Sequence, residues 1–230
     1  MAAKGQGRRG VSPATAAGGR AVRAVVEEGV TRLERKERTR RAILDAALEL
    51  SRDGTFAALS LRAVAKQVGI VPTAFYRHFE SVEALGLALV DESFVSLRAM
   101  LRDVRRNGPA FKDIIDGSLR VLVEHVHAQR DHFMFITRER GAGPLVVREA
   151  IAHQIELFER ELAMDLARLP ETASWSSEDL QVLSNLIVTQ VVATTEQITS
   201  RPDAEAEVVA RARVQLRMVL VGALNWRSRA

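Results

Sequence analysis

The chain has 230 residues, 47% hydrophobic and 27% charged, with a net charge of +4 and no cysteine. That length and apolar fraction suffice for a sizeable core in one large or two modest domains, and the lack of thiols excludes disulfides and thiolate metal sites, so a reducing cytoplasm is the expected compartment. One tyrosine, two tryptophans and almost no alternating Val/Thr/Tyr runs argue against sheet, and an all-α protein is expected.

The charge is unevenly spread. Residues 1–41 hold eleven Lys or Arg against four Glu, and the remainder is slightly acidic. A basic end on such a body is the electrostatic footprint of a polyanion binder. Residues 1–30 are rich in Gly and Ala and hold Pro13, so they are expected to be disordered at least as far as Gly19. Residues 1–35 are therefore read as a flexible basic arm. Arg32, Arg35, Lys36, Arg38, Arg40 and Arg41 precede or open the first helix, where a flexible segment can lie along phosphates. Residues 1–30 lack the unbroken apolar run that a secretory signal needs, and the longest apolar run, Val214–Leu224, is about half the length of a membrane span and carries Arg217.

From Thr39 the helical signals strengthen. Ile43, Leu44, Ala47 and Leu48 make one apolar stripe that Asp53-Gly54 ends, and Leu61, Val64, Ala65 and Val68 make a second. Ser60 is placed to cap that second helix, and Gly69 supplies the positive φ at which a helix stops and turns. Pro72 fits the first turn of a third helix, which Phe75 and Phe79 at i, i+4 anchor inward. Thr73, Ala74, Tyr76, Arg77 and His78 are then left on the outer surface. This is a helix-turn-helix presenting its second helix to a groove.

The segments TRRAILDAALEL, LSLRAVAKQVGIVPTAFYRHF and SVEALGLALVDES resemble the DNA-binding domain of the TetR family of bacterial repressors over residues 39–93. PTAFYRHF, ALGLALVDES, RERGAG at 138–143 and QLRMVLVGALNW are further similar to the subgroup that represses unsaturated-fatty-acid synthesis. The resemblance implies a cytoplasmic, homodimeric repressor of lipid-metabolism genes that binds a near-palindromic DNA operator and responds to a small hydrophobic effector, a long-chain acyl thioester such as acyl-CoA. A regulator of efflux or another pathway sensing a different ligand, or a DNA-binding protein without an effector, is the alternative. Carried onto this sequence, Tyr76 and His78 match positions that touch phosphates, and Arg40, Ser60 and Arg62 match backbone clamps. Thr73, Ala74 and Pro72 open the reading helix, where a methyl can meet thymine, and Arg77 can reach guanine or neutralise backbone. Many relatives have Thr where this chain has Ala74, so a hydrogen bond made there by relatives is missing.

Beyond a helix-turn-helix domain at 36–84, residues 85–230 read as a ligand-binding and dimerisation domain, giving about nine helices in all. Ser81 caps a helix that runs to Asn107-Gly108-Pro109, and further apolar stripes follow at 111–126, 133–140 and 151–166. The last two helices, near 177–198 and 203–226, are apolar on two sides, so they need two burial partners: the monomer core and a second copy of the chain. Leu183, Leu186, Ile187, Leu216, Leu220 and Leu224 are the expected dimer contacts. The resemblance also implies an acyl tunnel, for which Phe111, Ile115, Leu122, Phe133 and Phe158 offer a lining and Arg138 and Arg140 a place for a polyanionic head group.

Enzymatic readings fail on spacing. His125 and His127 lie two apart and point to different faces of a helix, and no metal-ligand pair such as HExxH occurs. GAGP at 141–144 lacks the Lys-Ser/Thr of a phosphate loop. Neither a metal nor a cofactor is expected.

Overall fold

A computed structural model describes residues 14–52, 54–107 and 113–227. Among them the chain is entirely helical: α1 (Ala14–Leu50), α2 (Leu61–Val68), α3 (Pro72–Phe75), α4 (Val82–Asn107), α5 (Ile114–Ala128), α6 (Arg130–Ala142), α7 (Leu145–Leu166), α8 (Ser177–Ser200) and α9 (Glu205–Leu224), with 3-10 turns at Phe56–Ala58 and Pro202–Ala204. None of these helices is long and apolar enough to cross a membrane. The chain divides into two compact units, residues 1–42 and 43–230.

In the first unit the expectation of disorder to Gly19 is corrected: α1 begins at Ala14. The reason is alanine. Ala14, Ala16, Ala17, Ala21 and Ala24 favour helix strongly enough to offset Gly18 and Gly19, which cost about 1 kcal/mol each relative to alanine. Residues 1–13 lie outside the described residues.

In the second unit, the stripes expected from the sequence meet in one core. Ile43, Leu44 and Ala47 of α1, Val64 of α2, Phe75 and Phe79 close on Leu85, Leu89 and Phe94 of α4. Phe135 and Ile136 of α6 and Val147 and Ile151 of α7 belong to the same cluster. The expected boundary at 84/85 therefore falls inside a shared core, with α4 as its common wall. A second cluster joins Met100 of α4, Leu119, Leu122 and Val126 of α5, Phe133 of α6, Phe158 of α7, Val188 and Ile198 of α8, and Val208, Ala212 and Leu216 of α9. Leu97 and Ile155 pack against both clusters.

The buried face of α8 also carries polar groups. Thr194, Thr195 and Thr199 hide their hydroxyls by donating to the carbonyls of Gln190, Val191 and Thr195, at 2.7, 2.9 and 2.9 Å. A hydroxyl satisfied on its own helix costs little to bury.

Candidate functional site

The helix-turn-helix is built by local chemistry. Gly69 takes the left-handed conformation at φ 74°, and the N–H of Ile70 reaches back to the Ala65 carbonyl at 2.9 Å, which ends α2 abruptly. Val71 is extended and Pro72 opens α3. The third helix is shorter than its sequence suggests. Regular α geometry stops at Phe75, and the Arg77 and His78 amides bond three residues back, to Ala74 and Phe75, at 3.2 and 2.8 Å. Such tightening is common at helix ends. Phe75 and Phe79 are buried, with ring centroids 5.7 Å apart, and burial of each contributes about 2–3 kcal/mol.

This anchoring decides what faces out. Thr73, Tyr76 and Arg77 are exposed, as are Pro72, Ser60 and Arg62, while Ala74 and His78 are half-buried. Tyr76 stands edge-on against Phe75 at 5.7 Å, so its ring is held from below while 59% of the residue is exposed. Val71, which helical periodicity does not single out, is 64% exposed beside them. Ser60 occupies the cap position of α2 without a side-chain cap hydrogen bond, contrary to expectation, so its hydroxyl is not consumed by that role. Ser81 does cap α4, accepting from the Ala84 amide at 3.1 Å. Arg40 is half-buried in the part of α1 that belongs to the first unit.

Behind the helix-turn-helix, α6 grips the link between α1 and α2. Arg138 Nη1 donates to the carbonyls of Ser51, Arg52 and Gly54 at 2.5, 2.9 and 2.7 Å. These lie just past the C-terminal end of α1, where a helix presents carbonyls without partners and a negative dipole end. The next residue, Glu139, is fully buried, and its Oε1 accepts from the Phe56 amide at 2.9 Å. Burial holds its carboxyl above the usual carboxylate range, partly offset by the Phe56 N–H and the neighbouring Arg138 charge. Phe56 itself meets Phe135 edge-on at 6.0 Å, and Arg52 Nε donates to Asp131 at 2.9 Å. Arg138, expected beside a ligand head group, commits its Nη1 to backbone carbonyls. Arg140 pairs with Glu196 at 3.3 Å. A run reading Arg-Glu-Arg looks like a surface ion cluster; only the partners, more than 80 residues away in sequence, show that its first two members do different work.

Leu122, Phe133 and Phe158 lie in one cluster, with Ile115 packed against it. Phe111 lies outside the described residues. The expected dimer contacts divide in two. Leu183 and Leu216 are buried, and Ile187 packs into the second core cluster, so these serve the monomer. Leu186 and Leu224 are each half exposed, and Leu220 is intermediate. The exposed apolar face instead includes Val182, Val214, Met218 and Trp226, with Met218 70% exposed. Trp175, Val182, Leu186, Met218 and Trp226 line a shallow groove between α8 and α9. Both faces of α8 are apolar in sequence, so periodicity alone does not tell which one the core claims.

Comparison with known proteins fits this architecture. Residues 43–89 match the family model described as bacterial regulatory proteins, tetR family. A transcriptional regulator from Pseudomonas aeruginosa PAO1 has a similar fold, with a TM-score of 0.65 at 14% identity over 82% of this chain and 93% of that one. FadR from Bacillus subtilis, solved with stearoyl-CoA, gives 0.61 at 16% identity over 79% and 98%. Thermus thermophilus FadR, a TetR-family repressor solved with lauroyl-CoA, gives 0.59 at 21% over 83% and 98%. Residues 43–89 thus carry the match to the tetR-family model, and the chain as a whole shares the helical fold of these regulators.

Proposed function

We propose that the chain is a TetR-family transcriptional regulator and not an enzyme, a cytoplasmic homodimer that represses genes of fatty-acid or lipid metabolism and whose grip on a near-palindromic operator is set by a long-chain acyl thioester. The exposed Thr73, Tyr76 and Arg77, held over the buried Phe75 and Phe79, are the observation that carries DNA reading. In this reading Pro72, Thr73, Ala74 and Arg77 meet base edges, and Arg40, Ser60, Arg62, Tyr76 and His78 meet phosphates. The twofold places two such helices in successive major grooves, about 34 Å apart.

Two things support the lipid effector. Ile115, Leu122, Phe133 and Phe158 gather from α5, α6 and α7 into one apolar cluster, which an acyl chain could enter by displacing packing. The fold is also shared with two regulators solved with acyl-CoA. A ligand changes operator affinity only by its difference in affinity for the DNA-competent and incompetent arrangements. Operator binding measured with palmitoyl-CoA, oleoyl-CoA, free oleate and no ligand tests this. Opposite responses to the two thioesters support fatty-acid-synthesis control, and a common response supports acyl-CoA sensing in general. Indifference to all three returns the effector to another small hydrophobic molecule.

A further inference from the structure

The sequence presents the basic residues before the helix-turn-helix as one cluster; helical geometry sorts them. Residues 31–41 belong to α1, and at about 100° per residue Arg32, Arg35, Lys36 and Arg40 fall at i, i+3, i+4 and i+8, within one face. Thr39 shares that face, and its hydroxyl donates to the Arg35 carbonyl at 3.0 Å, while Arg35 Nε donates to the Thr31 carbonyl at 3.1 Å. The acids of this segment, Glu34 and Glu37, lie on the other side with Arg38 and Arg41. Arg32, Arg35 and Lys36 are all exposed.

From these positions we infer that the α1 stripe of Arg32, Arg35, Lys36 and Arg40 is a second DNA contact, binding phosphates of the duplex independently of sequence. The stripe spans about 12 Å along the helix axis, and each strand of B-DNA offers a phosphate about every 3.4 Å of axis, so the cations meet a polyanion of matching charge spacing. Nucleic acid fits better than a lipid surface. An interfacial helix needs an apolar face opposite its cations, and here that side carries Glu34, Glu37, Arg38 and Arg41, with Leu33 the sole large apolar residue among 31–41. The inference rests on DNA binding by the helix-turn-helix, which supplies the sequence preference that the stripe lacks.

The test compares two full-length variants of equal charge change, Arg32→Gln/Arg35→Gln on the stripe and Arg38→Gln/Arg41→Gln on the opposite side, with the unmodified protein. Affinity for operator and for random duplex is measured from 50 to 300 mM salt. The stripe pair should lessen the steepness of log K against log salt by about 1–2 per protomer, at about 0.9 for each phosphate no longer neutralised. It should leave the ratio of operator to random affinity unchanged, and the opposite-side pair should shift the slope by less than half as much. Equal slopes in both variants, or no change in either, overturn the inference. Retention on phosphatidylserine vesicles that the stripe pair abolishes while DNA slopes stay fixed would also overturn it, in favour of a membrane. Loss of operator preference in Thr73→Ala with the stripe slope unchanged shows the helix-turn-helix reading holding while this one fails. A protein that binds neither duplex would sink both.

Discussion

The Glu139 carboxylate of α6 accepts the Phe56 amide at 2.9 Å from within a fully buried site. This bond ties the body to the turn that joins α1 to α2, and its strength depends on a group that resists ionisation. Burial raises its pKa above the ordinary 4.5, so the folded protein holds this proton more tightly than the unfolded chain does. A carboxyl raised on folding binds more protons in the native state, so it contributes relative stability at low pH that fades as pH rises from the ordinary value through the raised one. Glu139→Gln keeps an acceptor for Phe56 and cannot titrate. Urea midpoints of the two proteins from pH 4.5 to 7.5 should therefore diverge, the glutamine variant gaining on the parent as pH rises. Parallel curves would mean that Glu139 does not titrate across this range.

Arg138 satisfies the carbonyls of Ser51, Arg52 and Gly54 with one nitrogen. Arg138→Ala should destabilise the protein by about 2–3 kcal/mol, since a charged donor to partly buried acceptors is worth about that much. Arg138→Lys should recover part of it. Thermal and urea unfolding measure the change; a destabilisation below about 0.5 kcal/mol, far under the ordinary worth of a charged hydrogen bond, would show that water replaces the guanidinium without cost.

Gly86 on α4 leaves no room for a methyl. A Cβ there would sit 2.7 Å from Phe56 Cε1 and 2.9 Å from Val147 Cγ2. Gly86→Ala should cost up to about 2 kcal/mol, an overpacking penalty of about 1–3 kcal/mol offset by about 1 kcal/mol of helix propensity gained. Pairing it with Phe56→Leu should relieve the clash, and the double-mutant cycle should show coupling.

On the DNA side, Tyr76→Phe should weaken operator and random duplex alike, as removal of a phosphate hydrogen bond does. Thr73→Ala and Arg77→Ala should instead change the preferred sequence, at about 1–3 kcal/mol for each base pairing removed. Selection from a randomised duplex pool reads the difference. An Arg77→Ala protein with unaltered affinity and preference would remove Arg77 from the reading face.

The exposed face of α8 and α9 should hold the dimer together. Leu186→Glu/Met218→Glu should give a folded monomer by light scattering, because both side chains are at least half exposed in the single chain and their charge would have to be buried on association. Leu183→Glu should unfold the chain instead. A Leu186→Glu/Met218→Glu protein of unchanged dimer mass would move the interface elsewhere.

The sequence by itself determined the helix-turn-helix, since its signals act over a few residues. Gly69 ends α2, Pro72 opens α3, Ser81 caps α4, and Phe75 and Phe79 lie a helical turn apart. Each constrains its own backbone wherever it is placed. What the sequence left open was decided by contacts between distant segments. Leu183 and Leu186 are both leucines on α8, and only packing against neighbouring helices made one core and left the other exposed. Arg138 and Glu139 carry no sign in their neighbours of the carbonyls and the amide they hold 83–87 residues away. A buried polar group must find a partner where the fold brings one, and that partner is fixed by tertiary structure alone.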